Sequence, residues 1–178
     1  MFITRALVAN DLTPDLLKYF NRYQEVNRCW RLENNKWVLK DISFTEQWDE
    51  ELRKEIVAVD FANCLSSGGV VWGTFNDNGL CIAFASLLSE FFGSSGQYLQ
   101  LMQIHVSHEY RNKGVGKTLF GLCVEKARSL GTKKLYISAH SAEESQCFYK
   151  GVGCIDAEEI NQRLAEYEPY DRQMEFVL

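Results

Sequence analysis

The segment with the clearest chemistry is a strand-like run, Leu101 to Val106, followed by a loop with two glycines and several basic residues. The loop reads Arg111-Asn112-Lys113-Gly114-Val115-Gly116-Lys117-Thr118 and leads into a helical pattern. The first backbone N–H groups of a helix have no partner within it and carry positive potential, so they bind phosphate oxygens. Glycine lets an anion approach the backbone without a Cβ in the way. The loop therefore predicts an anion site.

Two familiar nucleotide-binding motifs do not fit this loop. Gly116-Lys117-Thr118 looks like the end of a P-loop, but the position five residues before the second glycine is Arg111 instead of glycine. The next predicted strand, residues 134–139, has no aspartate at its end for magnesium. A dinucleotide fingerprint fails because Leu119 stands where its third glycine or alanine belongs. The sequence thus disfavours a nucleotide triphosphatase and a dinucleotide-binding enzyme.

The distribution of charge also favours a compact anionic ligand. The 178-residue chain has a formal net charge of −5. Residues 111–134 carry seven basic side chains and one acidic one, so this segment is +6 and the rest of the chain is −11. Binding a nucleic acid requires a broad basic surface. A basic island in an acidic body suits a small, multiply phosphorylated ligand instead, and the acidic remainder slightly favours a cationic second substrate.

The surrounding elements predict an α/β (α+β) fold. Strands are expected over residues 2–8, 70–75, 80–88, 98–106, 134–139, 153–157 and 173–178. Helices are expected from Asp11 to Tyr23, from Thr45 (as a cap) to Cys64, over 115–130 and over 142–150, with a loop or short hairpin over 29–44. A strand–helix–strand unit needs parallel strands, whereas the hairpins before it are antiparallel. The expected sheet is mixed, mainly antiparallel and flanked by helices.

Two motifs in this order resemble those of the GCN5-related N-acetyltransferases, the GNAT superfamily. The first is Arg111-x-x-Gly114-x-Gly116, five residues after a strand that ends in Val106. The second, Ser145 to Cys154, is similar to the family's Ala/Ser-x-x-x-Tyr-x-x-x-Gly-Phe helix and turn, with Tyr149 as its tyrosine and cysteine replacing phenylalanine. The signature match covers residues 99–154. The resemblance implies one domain over 1–178, a GNAT-like twisted sheet and a splayed central strand pair.

The resemblance also implies acetyl-CoA as cosubstrate, without a metal. Backbone N–H groups of Asn112 to Lys117 would hold the diphosphate. The backbone of Ile104 and Val106 would pair with pantetheine, and an N–H near Ile104 would hold the oxyanion. Tyr149 would be the general acid that protonates the departing thiolate. The implied cofactor-binding residues are Ile104, His105, Val106, Arg111, Asn112, Lys113, Gly114, Val115, Gly116, Lys117, Thr118 and Ser145.

The sequence leaves the general base open. Regular alternation places Gln100 and Met102 on the strand face where family members carry a base, and neither residue is basic. His105 lies on the other face, would need a bulge to reach the site, and is interpreted as a hydrogen-bonded structural histidine. Glu90 and Glu109 are further alternatives without a ranking.

The first third of the chain, residues 1–65, is expected to form the acceptor side through N-terminal helices. Its aromatic and basic residues could stack on a ring, hold a cation or bind a carboxylate, or could simply pack as a helix pair. They are Tyr23, Arg28, Trp30, Arg31, Trp37 and Trp48. One family feature is missing, because the asparagine seven residues before the tyrosine is Ala142 here, and Ser141 could substitute for it.

The remaining composition favours a cytoplasmic enzyme. The six cysteines have mostly apolar neighbours and do not cluster with the three histidines, which predicts buried thiols and no metal. No apolar run reaches the roughly 18 residues of a membrane span, and no secretory signal is apparent. We expect neither a membrane nor a nucleic-acid partner, and a homodimer through the C-terminal strands is compatible with the pattern.

The sequence therefore predicts an N-acetyltransferase that moves acetyl from acetyl-CoA to a primary amine by direct attack. A non-enzymatic acyl-CoA-binding or sensing module is the alternative, supported by the missing base. An acyl-enzyme on Cys147 lacks a histidine nearby in sequence to activate the thiol. The acceptor, the preferred acyl length and the oligomeric state stay open.

Overall fold

The computed structural model describes residues 2–178. The strands of this part of the chain are β1 (Ile3–Ala6), β2 (Gln24–Glu33), β3 (Lys36–Glu46), β4 (Val70–Phe75), β5 (Cys81–Leu87), β6 (Tyr98–Val106), β7 (Lys134–Ala139), β8 (Ile155–Asp156) and β9 (Arg172–Val177). The α-helices are α1 (Glu50–Glu55), α2 (Ala62–Ser66), α3 (Val115–Ser129), α4 (Glu143–Gly151) and α5 (Gln162–Tyr167). A π-helical segment, Ile56–Phe61, joins α1 to α2.

Seven of these strands form one sheet in the order β1-β4-β5-β6-β7-β9-β8, and β2 pairs with β3 as a separate hairpin. Neighbouring strands are antiparallel except β6 and β7, which are parallel and connected through α3. The predicted mixed, mainly antiparallel sheet with a strand–helix–strand unit is confirmed. The short helix α5 has no counterpart in the sequence prediction.

The two faces of the sheet bury different clusters. Phe84 packs with residues of the α1–α2 segment, while its neighbours Ala83 and Ala85 pack with α3. Successive strand residues point to opposite faces, so these contacts place α3 on one face and the α1–α2 segment on the other. We call these the α3 face and the α1 face.

The predicted turn at Asn34-Asn35 is confirmed, but the hairpin around it is longer than expected. Both asparagines have positive φ angles, 48° and 60°, as a two-residue turn between twisted strands requires. The two strands extend from residue 24 to residue 46 instead of 29 to 44. The hairpin is joined to the segment that follows β7, where the Trp30 N–H donates to the Ser141 carbonyl at 2.8 Å.

The helix predicted from Asp11 to Tyr23 is wrong. One 3-10 turn, Ala9–Asp11, is followed by a series of turns through residue 19. The Asp11 carboxylate binds Arg5 and accepts from the Val8 N–H at 2.8 Å, so it does not cap a helix that starts after it. The apolar spacing nevertheless buries Leu17, because turns can direct such side chains into the core as a helix does.

The cap predicted at Thr45 is also wrong. Thr45 and Glu46 are the last residues of β3, and the helix begins four residues later. Asp49 is its N-cap and accepts a hydrogen bond from the Leu52 N–H at 2.8 Å. Within the described part of the predicted acceptor side, residues 2–65, the chain therefore forms a strand, a long hairpin and one helical segment instead of a pair of N-terminal helices.

Candidate active site

The loop between β6 and α3 presents a row of unpartnered backbone N–H groups. Asn112 and Gly114 adopt left-handed conformations, with φ of 61° and 81°, and Gly114 is the N-cap of α3. Residues 112–117 donate no backbone hydrogen bond to any residue within 2–178, and the first N–H that does is that of Thr118, to the Gly114 carbonyl at 3.1 Å. Such a concave set of N–H groups at a helix start binds anions.

The basic side chains of this loop divide into two groups. Arg111 is turned inward: its Nε donates to the Val106 carbonyl at 3.0 Å and its Nη2 to the Arg22 carbonyl at 3.3 Å. Burial lowers the pKa of this guanidinium. Lys113 and Lys117 are exposed beside the N–H groups. Arg111 thus fixes the shape of the loop, while the two lysines supply positive charge at its surface.

The sheet opens beside this loop. The parallel register joins residues 98–100 of β6 with residues 134–136 of β7, after which the two strands part. The Ser107 N–H donates to the Ile82 carbonyl on the β5 side. Because N–H directions alternate along a strand, those of Ile104 and Val106 are directed toward the opening. The predicted splayed strand pair is confirmed, and both residues predicted to bind there present N–H groups to it.

A β-bulge in β6 reverses the predicted side-chain alternation. Leu101 pairs with Leu87, but the next pair is Gln103 with Ser86, so Met102 is an extra residue. Regular alternation would have put Gln100 and Ile104 on one face, and that prediction is wrong. Ile104 packs on the α3 face.

As a result of the bulge, His105 shares the α1 face with Gln100. The His105 ring packs edge-on against Trp48, with centroids 4.8 Å apart, and lies 5.4 Å from the ring of Phe84. Burial lowers its pKa from 6.5 to about 3. The bulge that His105 would need to reach the site is therefore present. It makes no hydrogen bond within residues 2–178, so it is not the hydrogen-bonded histidine that was expected.

This environment gives His105 a measurable role in acid stability. Between pH 6.5 and 3 the unfolded chain binds a proton at His105 that the folded chain does not, so the free energy of unfolding falls as the pH falls. His105→Phe keeps the aromatic contacts and removes this titration. We expect its stability to decline less steeply over that interval, by up to about 1.4 kcal/mol per pH unit, in urea unfolding series. Parallel curves for the two proteins would contradict this interpretation.

Tyr149 lies on α4 and is half-buried. Its ring packs against Phe148 and the cluster on the α3 face. Burial raises the pKa of the hydroxyl, so it keeps its proton at neutral pH, and it has no hydrogen-bond partner among the described residues. The Gln146 amide fixes α4 to the end of β7 by donating to the carbonyls of Ala139 and His140, at 3.1 and 2.9 Å.

The start of α4 lacks the polar side chain that the family pattern contains. Ala142 is the N-cap and makes no side-chain hydrogen bond. Ser141 does not substitute, because it is buried and its hydroxyl accepts from Arg31 at 2.8 Å. Ser145 is half-buried in the first turn of the helix.

The residues expected to form an acceptor wall lie in several separate contacts. Arg28 forms a bidentate pair with Glu143, Trp30 lies under Lys150, and Trp37 lies under Arg172. These contacts attach the hairpin to the rest of the molecule. Tyr23 and Arg31 also have partners of their own, Glu25 and Tyr170. Of the predicted set, Trp48 contacts β6, through His105.

A polar chain that the sequence did not predict joins the end of β7 to Arg22, whose carbonyl accepts from Arg111. Arg22 donates to Glu46 at 2.8 Å, and His140 at the end of β7 lies 3.1 Å from the other oxygen of the same carboxylate. The pKa of Glu46 is lowered, chiefly by the bond to His140, and burial lowers that of Arg22. These residues are 24 and 94 positions apart from Glu46 in sequence, so no local pattern marks them.

Other features bear on the alternatives. Five of the six cysteines are buried as predicted, whereas Cys147 is exposed on α4. No group of three His, Cys, Asp or Glu side chains within residues 2–178 is placed to hold a metal ion. The helices of the described chain are all too short or too polar to cross a membrane.

Comparison with known proteins gives one family. A sequence model of the "Acetyltransferase (GNAT) family" matches residues 23–154. A search of curated proteins gave no match.

Several solved structures share the fold over essentially the whole chain. A protein named as a streptothricin acetyltransferase of Bacillus anthracis strain Ames, in complex with acetyl coenzyme A, superposes with a TM-score of 0.74 at 17% identity, covering 100% of this chain and 99% of that one. A nourseothricin acetyltransferase gives 0.70 at 16% identity, covering 99% and 98%. The PaiA N-acetyltransferase of Thermoplasma acidophilum, in complex with coenzyme A, gives 0.59 at 14% identity, covering 100% and 99%. At identities this low, the superpositions show that the fold is shared.

Proposed function

This chain belongs to the GNAT family of acetyltransferases, and we propose that it transfers acetyl from acetyl-CoA directly to a primary amine. The observation that carries the proposal is the row of unpartnered N–H groups at residues 112–117 beside the opening between β6 and β7. A diphosphate needs the first feature and an extended pantetheine chain needs the second. Both occur at one end of the sheet.

In this proposal the chain is a single domain spanning 1–178, and acetyl-CoA binds to residues 99–154. The N–H groups of Asn112 to Lys117 bind the diphosphate, with Lys113 and Lys117 adding positive charge. Ile104 and Val106 bind pantetheine through their backbone. The Val106 carbonyl already accepts from Arg111, so its N–H is the group left for this contact. Residues 1–65, the end of β7 and the start of β9 face the acceptor.

The chemistry proposed for this site needs no acyl-enzyme. The Ile104 N–H polarises the thioester carbonyl and holds the negative charge that develops on its oxygen. Tyr149 donates its proton to the departing thiolate. Cys147 is an unsuitable nucleophile because it is exposed and has no hydrogen-bond partner among residues 2–178 that could activate it.

The test is release of coenzyme A thiol from acetyl-CoA across a panel of primary amines. The panel covers polyamines, amino acids, peptides and amine-bearing drugs, and it starts with streptothricin and nourseothricin because two similar structures are named for them. Turnover on at least one amine, with intersecting initial-rate lines, is expected for direct transfer. Parallel initial-rate lines, together with loss of turnover in Cys147→Ala, would indicate an acyl-enzyme. Tight acetyl-CoA binding without turnover on any amine would favour the sensing module.

A further inference from the structure

The proposed transfer requires removal of a proton from an acceptor that is an ammonium ion at neutral pH. Candidate acceptors for this proton lie on the α1 face of the sheet. On that face the Ser138 hydroxyl of β7 makes two hydrogen bonds, one with Asp171, which precedes β9, and one with Gln173 of β9. Its Oγ lies 3.1 Å from Asp171 Oδ2 and accepts from Gln173 Nε2 at 2.9 Å. A hydroxyl has one proton and two lone pairs, so Ser138 donates to Asp171 and keeps one lone pair free.

Asp171 has an unusual environment for a carboxylate. No Lys, Arg or His side chain within residues 2–178 lies at ion-pair distance from it. Burial raises its pKa from 3.8 to about 6. The charged groups that face it are His140 at the end of β7, which lowers the pKa, and Glu168 after α5 and Glu46 of β3, which raise it.

Ser138 and Tyr149 lie on opposite faces of the sheet. Ile137 and Ala139, the neighbours of Ser138 on β7, belong to the cluster on the α3 face against which Tyr149 packs, so the Ser138 side chain is directed to the α1 face. Ser138 is two residues beyond the last pair of β7 with β6, where the two strands have already parted. A proton donor and a candidate proton acceptor therefore flank the same opening.

We propose that Ser138 and Asp171 form the relay that deprotonates the acceptor amine, an inference that rests on the proposed acetyl transfer. The ammonium gives its proton to the free lone pair of Ser138 as Ser138 passes its own hydroxyl proton to Asp171. The neutral amine then forms the bond to the acetyl carbon, and the bond from that carbon to sulfur breaks. The sulfur takes the hydroxyl proton of Tyr149. The nitrogen loses a second proton as the amide forms, and this proton returns to Tyr149. The relay leaves Asp171 protonated, and it releases that proton to solvent.

Neither nearby histidine can replace this relay. His105 packs between aromatic rings, and its low pKa makes it a poor proton acceptor. Both ring nitrogens of His140 are engaged: Nδ1 accepts from the Ala142 N–H at 3.2 Å and Nε2 faces Glu46 at 3.1 Å. Neutral His140 therefore has no lone pair left for a substrate.

The test is the pH dependence of kcat/KM in Asp171→Asn, with the best amine from the panel. The amide oxygen can still accept from Ser138, so the fold and the acetyl-CoA Kd should be unchanged. At pH 7.5 we expect a loss of about 100-fold, the scale of general base catalysis. The wild-type rate should fall below pH 6. The Asp171→Asn profile should lack this fall below pH 6. Its kcat/KM should approach the wild-type value as the pH rises toward the pKa of the amine, because the amine is then already deprotonated in solution. Ser138→Ala should lose less kcat/KM at pH 7.5 than Asp171→Asn and should recover in the same way as the pH rises.

Two controls separate the relay from a structural effect. Glu168→Gln removes a neighbouring carboxylate and should leave kcat/KM within about threefold, since proton transfer does not pass through it. A carbon-detected NMR titration of the resting protein should show a carboxyl with a midpoint near 6 that is absent in Asp171→Asn. A variant profile parallel to that of the wild type, or a midpoint for Asp171 below 5, would overturn the relay alone. Absence of wild-type turnover on every amine would overturn the proposed transfer and the relay together.

Discussion

Tyr149→Phe is expected to lower kcat by about 100-fold or more while the dissociation constant for acetyl-CoA stays the same. The variant removes one oxygen atom and keeps the ring that packs against Phe148. That oxygen has no protein partner among residues 2–178, so its loss leaves no buried group unsatisfied. The expected effect comes from the proton alone, and general acid catalysis contributes roughly 10²- to 10⁴-fold. Steady-state rates and calorimetric binding measure the two quantities separately.

A second buried tyrosine provides the control for this substitution. The Tyr98 hydroxyl bonds to Glu175 at the paired end of β6, away from the opening. Tyr98→Phe should cost roughly 1–3 kcal/mol of stability, because a buried carboxylate loses a partner, with kcat nearly unchanged. A Tyr149→Phe enzyme with normal kcat, or one that loses acetyl-CoA affinity to the same degree as kcat, would contradict the acid role.

Gly114→Val is expected to weaken acetyl-CoA binding by about 100-fold. The φ of 81° is strained for a β-branched residue, and relief of that strain would turn the N–H groups of the loop away from their common direction. Hydrogen bonds to a charged group contribute about 1.5–3 kcal/mol each, so loss of one or two accounts for the expected factor. Titration calorimetry with acetyl-CoA measures it directly.

Gly79 offers a matched control for backbone strain. It has a φ of 73°, lies in the β4–β5 turn, and, like Gly114, would meet no atom within 4 Å of an added Cβ. Gly79→Val and Gly114→Val should lose similar amounts of stability, about 1–2 kcal/mol. Only the Gly114 variant should lose affinity for acetyl-CoA. Equal affinities in the two variants would mean that the loop backbone does not bind the cosubstrate.

The part of the site that could be predicted from sequence is the part encoded locally. The boundaries of β6 and β7 and the start of α3 agree with the structure, because a strand, a glycine-containing loop and an amphipathic helix each leave a short-range pattern. The same local pattern predicted an anion-binding loop around Gly114 and Gly116, and in the structure Gly114 is the N-cap of α3 with a positive φ. The position of the candidate loop was therefore predictable from the sequence.

The rest of the site depends on contacts between distant residues. The bulge at Met102 is set by pairing with β5 and changes the face on which His105 lies, which strict alternation cannot reveal. Glu46 appeared to belong to a helix cap, but its role comes from Arg22 and His140. Asp171 lies in a segment that has the composition of an acidic surface, and it becomes unusual only through burial beside β7.

Hydrogen–deuterium exchange with and without acetyl-CoA tests the central claim most directly, since it reports where the cosubstrate binds without knowledge of the acceptor. The N–H groups of residues 112–117 have no partner within the described chain, so they should exchange rapidly in the free protein and slowly when acetyl-CoA saturates it. Ile104 and Val106 should gain protection as well. Saturating acetyl-CoA that leaves both segments unchanged, or protects a different surface, would contradict this account of the site.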